Sequence, residues 1–290
     1  MAQPQFNKIG IFKCGNIRTS PLVELLLDEL ADRKDIKVRT VTTGSKMNKD
    51  DVEEALPKIF EFNPDLFVVI SPNTSLPGPR KARERISNSG LPGIVISDAP
   101  GKRAKEEIEK QGLGYIIITG DPLIGARKEF LDPIEMALFN SNISTVLAIS
   151  GVYRIVQQEI DKVIYSLQSK QKPDLPKIIL DLKVIRDQSE FSNPYAKAKA
   201  LAAYGLAEKV AEINVQACFI EKDREKYVPL VACAHEIAQV AARLAEEARE
   251  FEKCNDTVMR KPHSKSGKVK LKTRLMLPPV SNEEFCGGNF

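Results

Sequence analysis

Among 290 residues the side chains best suited to chemistry are few: two histidines, His235 and His263, and five cysteines, Cys14, Cys218, Cys233, Cys254 and Cys286. The cysteines are odd in number and form no CxxC pair. That predicts reduced thiols, with neither a disulfide framework nor a zinc knuckle. No HExxH and no GxSxG occurs, so zinc-protease and serine-hydrolase chemistry lacks its parts. Cys14 has no histidine nearby in sequence to activate it, and it reads as a small packing or cofactor-contact residue. His235 falls in an alanine-rich helical pattern and reads as a packed helix residue. His263, beside Pro262, reads as more exposed and as a candidate for ligand contact. Chemistry in such a chain is left to a bound small molecule.

The remaining candidates sit in turns. Ser97-Asp98-Ala99-Pro100-Gly101-Lys102-Arg103 and Thr119-Gly120-Asp121-Pro122 each place an aspartate directly after an apolar run. Each aspartate is followed within two residues by proline, so turn formation competes with an electrostatic role. Cys14-Gly15-Asn16-Ile17, Ser71-Pro72-Asn73-Thr74 and Gly125-Ala126 are likewise rich in Gly, Pro and small polar residues, whose backbone N–H groups can approach a ligand closely. Basic pairs recur just beyond these turns: Arg80-Lys81, Lys102-Arg103 and Arg127-Lys128. A helix N-terminus is slightly positive, so an exposed cation there costs about 0.3–1 kcal/mol. Three such pairs favour an anionic ligand carrying phosphate or carboxylate groups over side chains that merely point into water.

The elements that must position these turns follow from periodicity. Residues 9–13, 36–41, 66–70, 94–96 and 115–118 are short β-branched or aromatic runs; residues 21–32, 49–62, 79–87 and 102–111 are amphipathic. Near-continuous apolar strands alternating with helices predict an α/β fold, a Rossmann-like parallel sheet with helices on both faces, over residues 1–131. In such a sheet ligands bind at the carboxyl ends of the strands, near the point where strand order reverses. Yet the first turn offers only Gly15 where GxGxxG needs three glycines, and no GxxxxGK[ST] occurs, so nicotinamide and P-loop nucleotide use are disfavoured.

Residues 132–255 change character and predict a mainly helical bundle. Asp132-Pro133-Ile134-Glu135 combines an N-cap, proline at the first helical position and a capping-box glutamate. A break is expected near Ser150-Gly151, a strand within 177–185, and long helices from Asn193-Pro194 and from about Lys226 to Cys254. The 15 alanines between residues 193 and 254 let helices approach closely, either inside a bundle or against another subunit. Residues 256–290 predict a small β hairpin and tail, with Val269, Leu271, Thr273 and Leu275 alternating with Lys268, Lys270, Lys272 and Arg274. The lysine face reads as a charged, aggregation-resistant edge strand or as an anion-facing ribbon over the cleft. A composition 42% apolar and 28% charged fits a folded soluble protein. A net charge of +4 gives no prior for nucleic acid, and neither a membrane-length apolar run nor an apolar N-terminal targeting core is read, so a cytoplasmic location is expected.

Several of these blocks are particular to one family. Lys13-Cys14-Gly15-Asn16-Ile17 with Thr19-Ser20-Pro21, Ser71-Pro72-Asn73 with Pro77-Gly78-Pro79, and Asp98-Ala99-Pro100-Gly101 resemble the coenzyme F420-dependent methylenetetrahydromethanopterin dehydrogenases. So do Ile124-Gly125-Ala126-Arg127-Lys128-Glu129-Phe130-Leu131-Asp132-Pro133, Phe191-Ser192-Asn193-Pro194-Tyr195-Ala196-Lys197-Ala198-Lys199-Ala200 and Lys226-Tyr227-Val228-Pro229-Leu230-Val231. The resemblance implies reversible hydride transfer between a tetrahydromethanopterin-type one-carbon carrier and the dissociable deazaflavin coenzyme F420. It also implies a homohexamer without metal or bound flavin. Hydride transfer needs no side-chain nucleophile, only two rings held face to face. Given that reaction, turn position assigns electrostatic catalysis to Asp98 and Asp121, coenzyme binding to Gly15, Asn16, Ile17, Ser71, Asn73, Arg80 and Lys81, and substrate binding to Gly120, Arg127 and Lys128. The rival readings are a non-catalytic α/β oligomer that binds an anionic metabolite, and a nicotinamide oxidoreductase of the same architecture.

Overall fold

A computed structural model describes residues 7–281. The strands are β1 (Asn7–Lys13), β2 (Ile36–Thr42), β3 (Leu66–Ser71), β4 (Gly93–Asp98), β5 (Gly114–Ile118) and β6 (Lys177–Leu180). They form one sheet in the order β2-β1-β3-β4-β5-β6, with every pair parallel. Every residue of β3, β4 and β5 is buried, which is why their sequences show unbroken apolar runs rather than alternation. The chain leaves β1 toward β2 and returns to β3 on the other side of β1. The turns after β1 and β3 therefore diverge and open a crevice.

Side chains alternate across the sheet and build two cores. Phe12, Phe67, Val69, Val95 and Ile117 face α2 (Lys49–Glu61), α3 (Pro77–Asn88) and α4 (Lys105–Lys110). Ile9, Ile11, Val68, Ile70, Ile96 and Ile118 face α1 (Thr19–Leu27), α5 (Pro133–Ser150) and α6 (Val152–Gln168). Gly151, at φ +96°, separates α5 from α6 as a left-handed cap, as the sequence predicts. Asp132 caps α5 through Ile134 and Glu135 N–H, but the expected reciprocal bond is missing because the Glu135 carboxylate accepts from His235 instead.

The strand expected in 177–185 is shorter than read. It ends at Leu180, and Asp181 then caps the helix α7 (Leu182–Gln188). As the sixth strand beside β5, it returns the largely helical second half of the chain to the sheet. Asn193 caps α8 (Pro194–Val215), which continues as a π-helical turn over Gln216–Ile220 before α9 (Arg224–Cys254). The alanine question resolves within the chain. Ala196, Ala200, Ala203 and Ala207 of α8 and Ala234, Ala238, Ala241, Ala245 and Ala248 of α9 are buried where the two helices pack lengthwise. By length and composition α9 could cross a membrane; here it is the packed helix of the bundle.

The tail departs from expectation. Antiparallel bridges Arg260↔Lys272 and His263↔Val269 align the two expected arms, and Gly267 turns at φ +81°, but no continuous strand forms. Lys34 N–H donates to Lys265 O, and the Tyr165 hydroxyl donates to Gly267 O. Both contacts place the tail beside the segment entering β2, at the amino ends of the strands, so it does not roof the crevice. His263 is buried, not exposed. Its ring donates to Asp161 (2.9 Å) and its backbone N–H to Glu29 (2.5 Å). Cys286 lies outside the described residues.

Candidate functional site

The turns at the carboxyl ends of the strands interlock into one layer. Gly15 takes φ +83°, and its N–H donates to Gly44 O (3.1 Å) in the turn after β2. A Cβ there would sit 2.8 Å from Met47 Sδ and 2.9 Å from Pro72 Cδ, so only glycine lets the first three turns meet. Gly78 N–H donates to Met47 O, and Thr74 N–H donates to Ser97 Oγ (3.3 Å), joining the turns after β3 and β4. Asn73 forms a side-chain turn by accepting from Ser75 N–H (3.1 Å). Thr74 Oγ1 and Ser75 Oγ are buried without a hydrogen-bond partner among the described residues. Two such orphaned hydroxyls fit a heterocycle whose edge carries polar atoms.

Asp121 closes the layer from β5. Its carboxylate accepts from Arg18 N–H (2.8 Å), Thr19 N–H (2.9 Å) and Thr19 Oγ1–H (2.6 Å). The cap of α1 thus comes from a residue about a hundred positions away, while Ser20 lies inside the helix and accepts from Ile17 N–H. Burial raises the Asp121 carboxyl above its usual range, against the pull of the Thr19 and Arg18 donors. Asp98 ends β4 with 5% of its surface exposed and accepts from Ala99 N–H (2.5 Å). Burial first, then the Asp121 charge, hold its carboxyl well above the usual carboxylate range. Cys14 is buried and its thiol is pushed up to about 11 by that burial, so it remains a thiol at neutral pH, in keeping with a packing role.

Other expected residues lie differently. Arg80 pairs with Glu84 and Glu107, and Lys81 with Glu53, so carboxylates of α2, α3 and α4 neutralise both charges. Gly120 presents no open face: its N–H donates to Tyr204 Oη (3.1 Å), and a Cβ would meet the Tyr204 ring at 2.7 Å. Arg127 stacks on Tyr227 at 3.8 Å and donates to Ala217 O (2.9 Å) and Glu221 O (2.6 Å), which clamps the segment after β5 onto the π-helical turn. Asn16, Lys102, Arg103 and Lys128 remain exposed, while Ile17 and Ser71 are buried. Tyr204 was not legible as a site residue; in sequence it is a large ring among alanines, as Tyr195 of the same helix also is. Among the described residues no group of three His, Cys, Asp or Glu could hold a metal.

A doubly wound α/β protein with interlocked turns and buried hydroxyls at the carboxyl ends of its strands, two neighbouring buried carboxyls after β4 and β5, and a helical bundle braced against β5 and β6 is a small-molecule-binding enzyme scaffold. Residues 7–280 match the model of the methylene-5,6,7,8-tetrahydromethanopterin dehydrogenase family, and the chain belongs to that family. It is 56% identical over 272 residues to the F420-dependent methylenetetrahydromethanopterin dehydrogenase of Archaeoglobus fulgidus, covering 94% of this chain and 98% of that one. It is 54% identical to the Methanothermobacter thermautotrophicus enzyme of the same name, covering 94% and 99%. A solved F420-dependent methylene-tetrahydromethanopterin dehydrogenase, in complex with methylene-tetrahydromethanopterin and coenzyme F420, superposes with a TM-score of 0.92 at 46% identity, covering 95% of this chain and all of that one.

Proposed function

We propose that the chain transfers a hydride reversibly between methylenetetrahydromethanopterin and coenzyme F420, giving methenyltetrahydromethanopterin and reduced coenzyme F420. The observation that carries this reading is the likeness over nearly the whole chain, at 46% identity and a TM-score of 0.92, to a relative solved with both compounds bound. The site fits it. Hydride transfer asks the protein to align two rings and exclude water, and the crevice supplies interlocked glycine and proline turns instead of a nucleophile. To Ser71, Asn73, Thr74 and Ser75, next to the Gly15 turn, we assign contact with the polar edge of the deazaflavin. Lys102, Arg103 and Lys128, still exposed beyond the same turns, are the cations to which we assign the anionic tails.

Mixing the purified protein with oxidised coenzyme F420 and methylenetetrahydromethanopterin tests the reading. Loss of the deazaflavin's visible absorbance is expected. An unchanged spectrum would leave a non-catalytic binding protein, and turnover with NAD(P) instead would make it a nicotinamide enzyme.

We further assign the active form to a homohexamer in the cytoplasm. Leu131, Ile134 and Leu138 near the start of α5, and Phe219 and Ile220 of the π-helical turn, are exposed, Ile134 by 69%. Only 33% of the apolar window of α9 is buried within the chain. Apolar surface of this kind supports burial against further copies.

A further inference from the structure

Asp98 and Asp121, at the carboxyl ends of β4 and β5, lie near each other and out of water, and two like charges in a low-dielectric site do not both ionise readily. Hydrogen bonding decides which one keeps its charge. Asp121 receives three donors, two of them N–H groups at the start of α1, where the helix end is itself positive. Asp98 receives two, the Ala99 N–H from a short 3-10 turn and the Leu123 N–H from the segment after β5, and no side-chain hydroxyl. The charged or titratable groups facing the pair are Lys102 beside Asp98, and Arg18, Tyr153 and Tyr204 beside Asp121. Lys102 is exposed and screened by solvent. The anion therefore rests on Asp121 and the proton on Asp98, in line with the raised Asp98 carboxyl.

The reaction has a use for that proton. When hydride leaves the one-carbon bridge with its electron pair, the pterin becomes a cation. The deazaflavin that receives hydride at a ring carbon also gains one proton at a nitrogen of its pyrimidine edge. Cys14 and the neighbouring hydroxyls are poor donors: the Cys14 thiol is raised to about 11, and Ser71, Thr74, Ser75 and Ser97 offer only aliphatic hydroxyls. His263 lies at the opposite ends of the strands, and His235 donates to Glu135 in the bundle. Ser97, next to Asp98, pairs in register with Ser71 of the coenzyme turn.

We infer that Asp98, as a neutral carboxylic acid, donates the proton that accompanies hydride transfer to coenzyme F420. The Asp98 O–H bond breaks and a ring N–H bond forms. The hydride leaves the bridge carbon of the substrate for the ring carbon of the coenzyme. Asp98 is left as a carboxylate near the newly formed cation, stabilises it, and regains its proton from water. In the reverse direction the same carboxylate accepts the proton.

This inference rests on the proposed hydride-transfer function, so its test uses a readout that needs no ligand. Infrared spectroscopy of the ligand-free protein at pH 7 is expected to show the carbonyl stretch of a buried carboxylic acid. That band should vanish in Asp98→Asn, persist in Asp98→Glu, and titrate at lower pH in Asp121→Asn, where the neighbouring charge is gone. In the coenzyme-reducing direction Asp98→Asn should lose about a hundredfold in kcat with little change in KM, and Asp98→Glu should recover a substantial part. The wild-type rate should fall as pH rises, and that dependence should flatten in Asp98→Asn. Absence of the acid band from the wild type at pH 7, or full turnover by Asp98→Asn, would overturn the assignment. If the wild type shows the band yet never bleaches coenzyme F420, the proposed function fails while the protonation of Asp98 stands.

Discussion

At the scale of single residues, the two aspartates that look equivalent in sequence have opposite employments. Asp121 is a brace: its oxygens satisfy the first N–H groups of α1 and so hold the Gly15 turn in place. Asp121→Asn keeps the shape but exchanges one acceptor oxygen for a donor facing those N–H groups. We expect a loss of about 1–3 kcal/mol in stability, read as a lower urea midpoint, and a larger rise in KM for coenzyme F420 than fall in kcat. A kcat collapse at unchanged KM would make Asp121 a participant in the chemistry instead. The turn chemistry and its place after β4 and β5 were legible in the sequence. Which donors fill a carboxylate was not, because Thr19 reaches Asp121 only after five strands have been laid side by side. The same reason hid most of the ion pairs of Arg80 and Lys81: Glu84 lies one turn along the same helix, but Glu53 and Glu107 arrive from neighbouring helices.

At the scale of elements, two ties fasten the helical half to the sheet. Arg127 binds the segment after β5 to Ala217 O of the π-helical turn and to Glu221 O just beyond it. Arg127→Ala should cost about 2 kcal/mol and speed hydrogen exchange across residues 121–131, leaving the strands protected. The tail is fastened by His263, whose ring nitrogens face Asp161 at 2.9 Å and Glu29 at 3.1 Å. Burial opposes a charge on this imidazole, but the bonds to Asp161 and Glu29 outweigh it and raise its pKa from 6.5 to about 9. The sign follows from linkage: the contribution is complete below about 6.5 and disappears as pH rises through about 9. Glu29 is shifted the other way; burial would raise it, yet the His263 bonds bring it below its usual value. Its contribution is therefore present above the ordinary carboxylate pKa and lost as pH falls through its lowered value. Thermal unfolding between pH 6 and 10 should show Tm falling on the alkaline side for the wild type. In His263→Gln that alkaline decline should be shallower, and an identical slope in both proteins would remove His263 from the account.

At the scale of the whole molecule, the buried cores face each other across the sheet while α5, the π-helical turn and α9 keep apolar side chains outside. If those side chains meet other copies in the proposed hexamer, Ile134→Glu combined with Phe219→Glu should shift the particle to smaller species. Sedimentation velocity reads this directly, and an unchanged hexamer would place the interface elsewhere.

What the sequence determined by itself is local and periodic. Uninterrupted apolar runs demanded strands buried on both faces, Asp132-Pro133 and Asn193-Pro194 demanded helix starts, and Gly15 with its missing companions argued against a dinucleotide turn. Family blocks added the reaction. What only the tertiary structure decided concerns partners far apart in the chain: the burial of His263, the packing of Tyr204 against Gly120, and the unequal hydrogen bonding of Asp98 and Asp121. Charge, protonation and hydrogen-bond satisfaction depend on distances measured through space, and a sequence orders residues only along the chain.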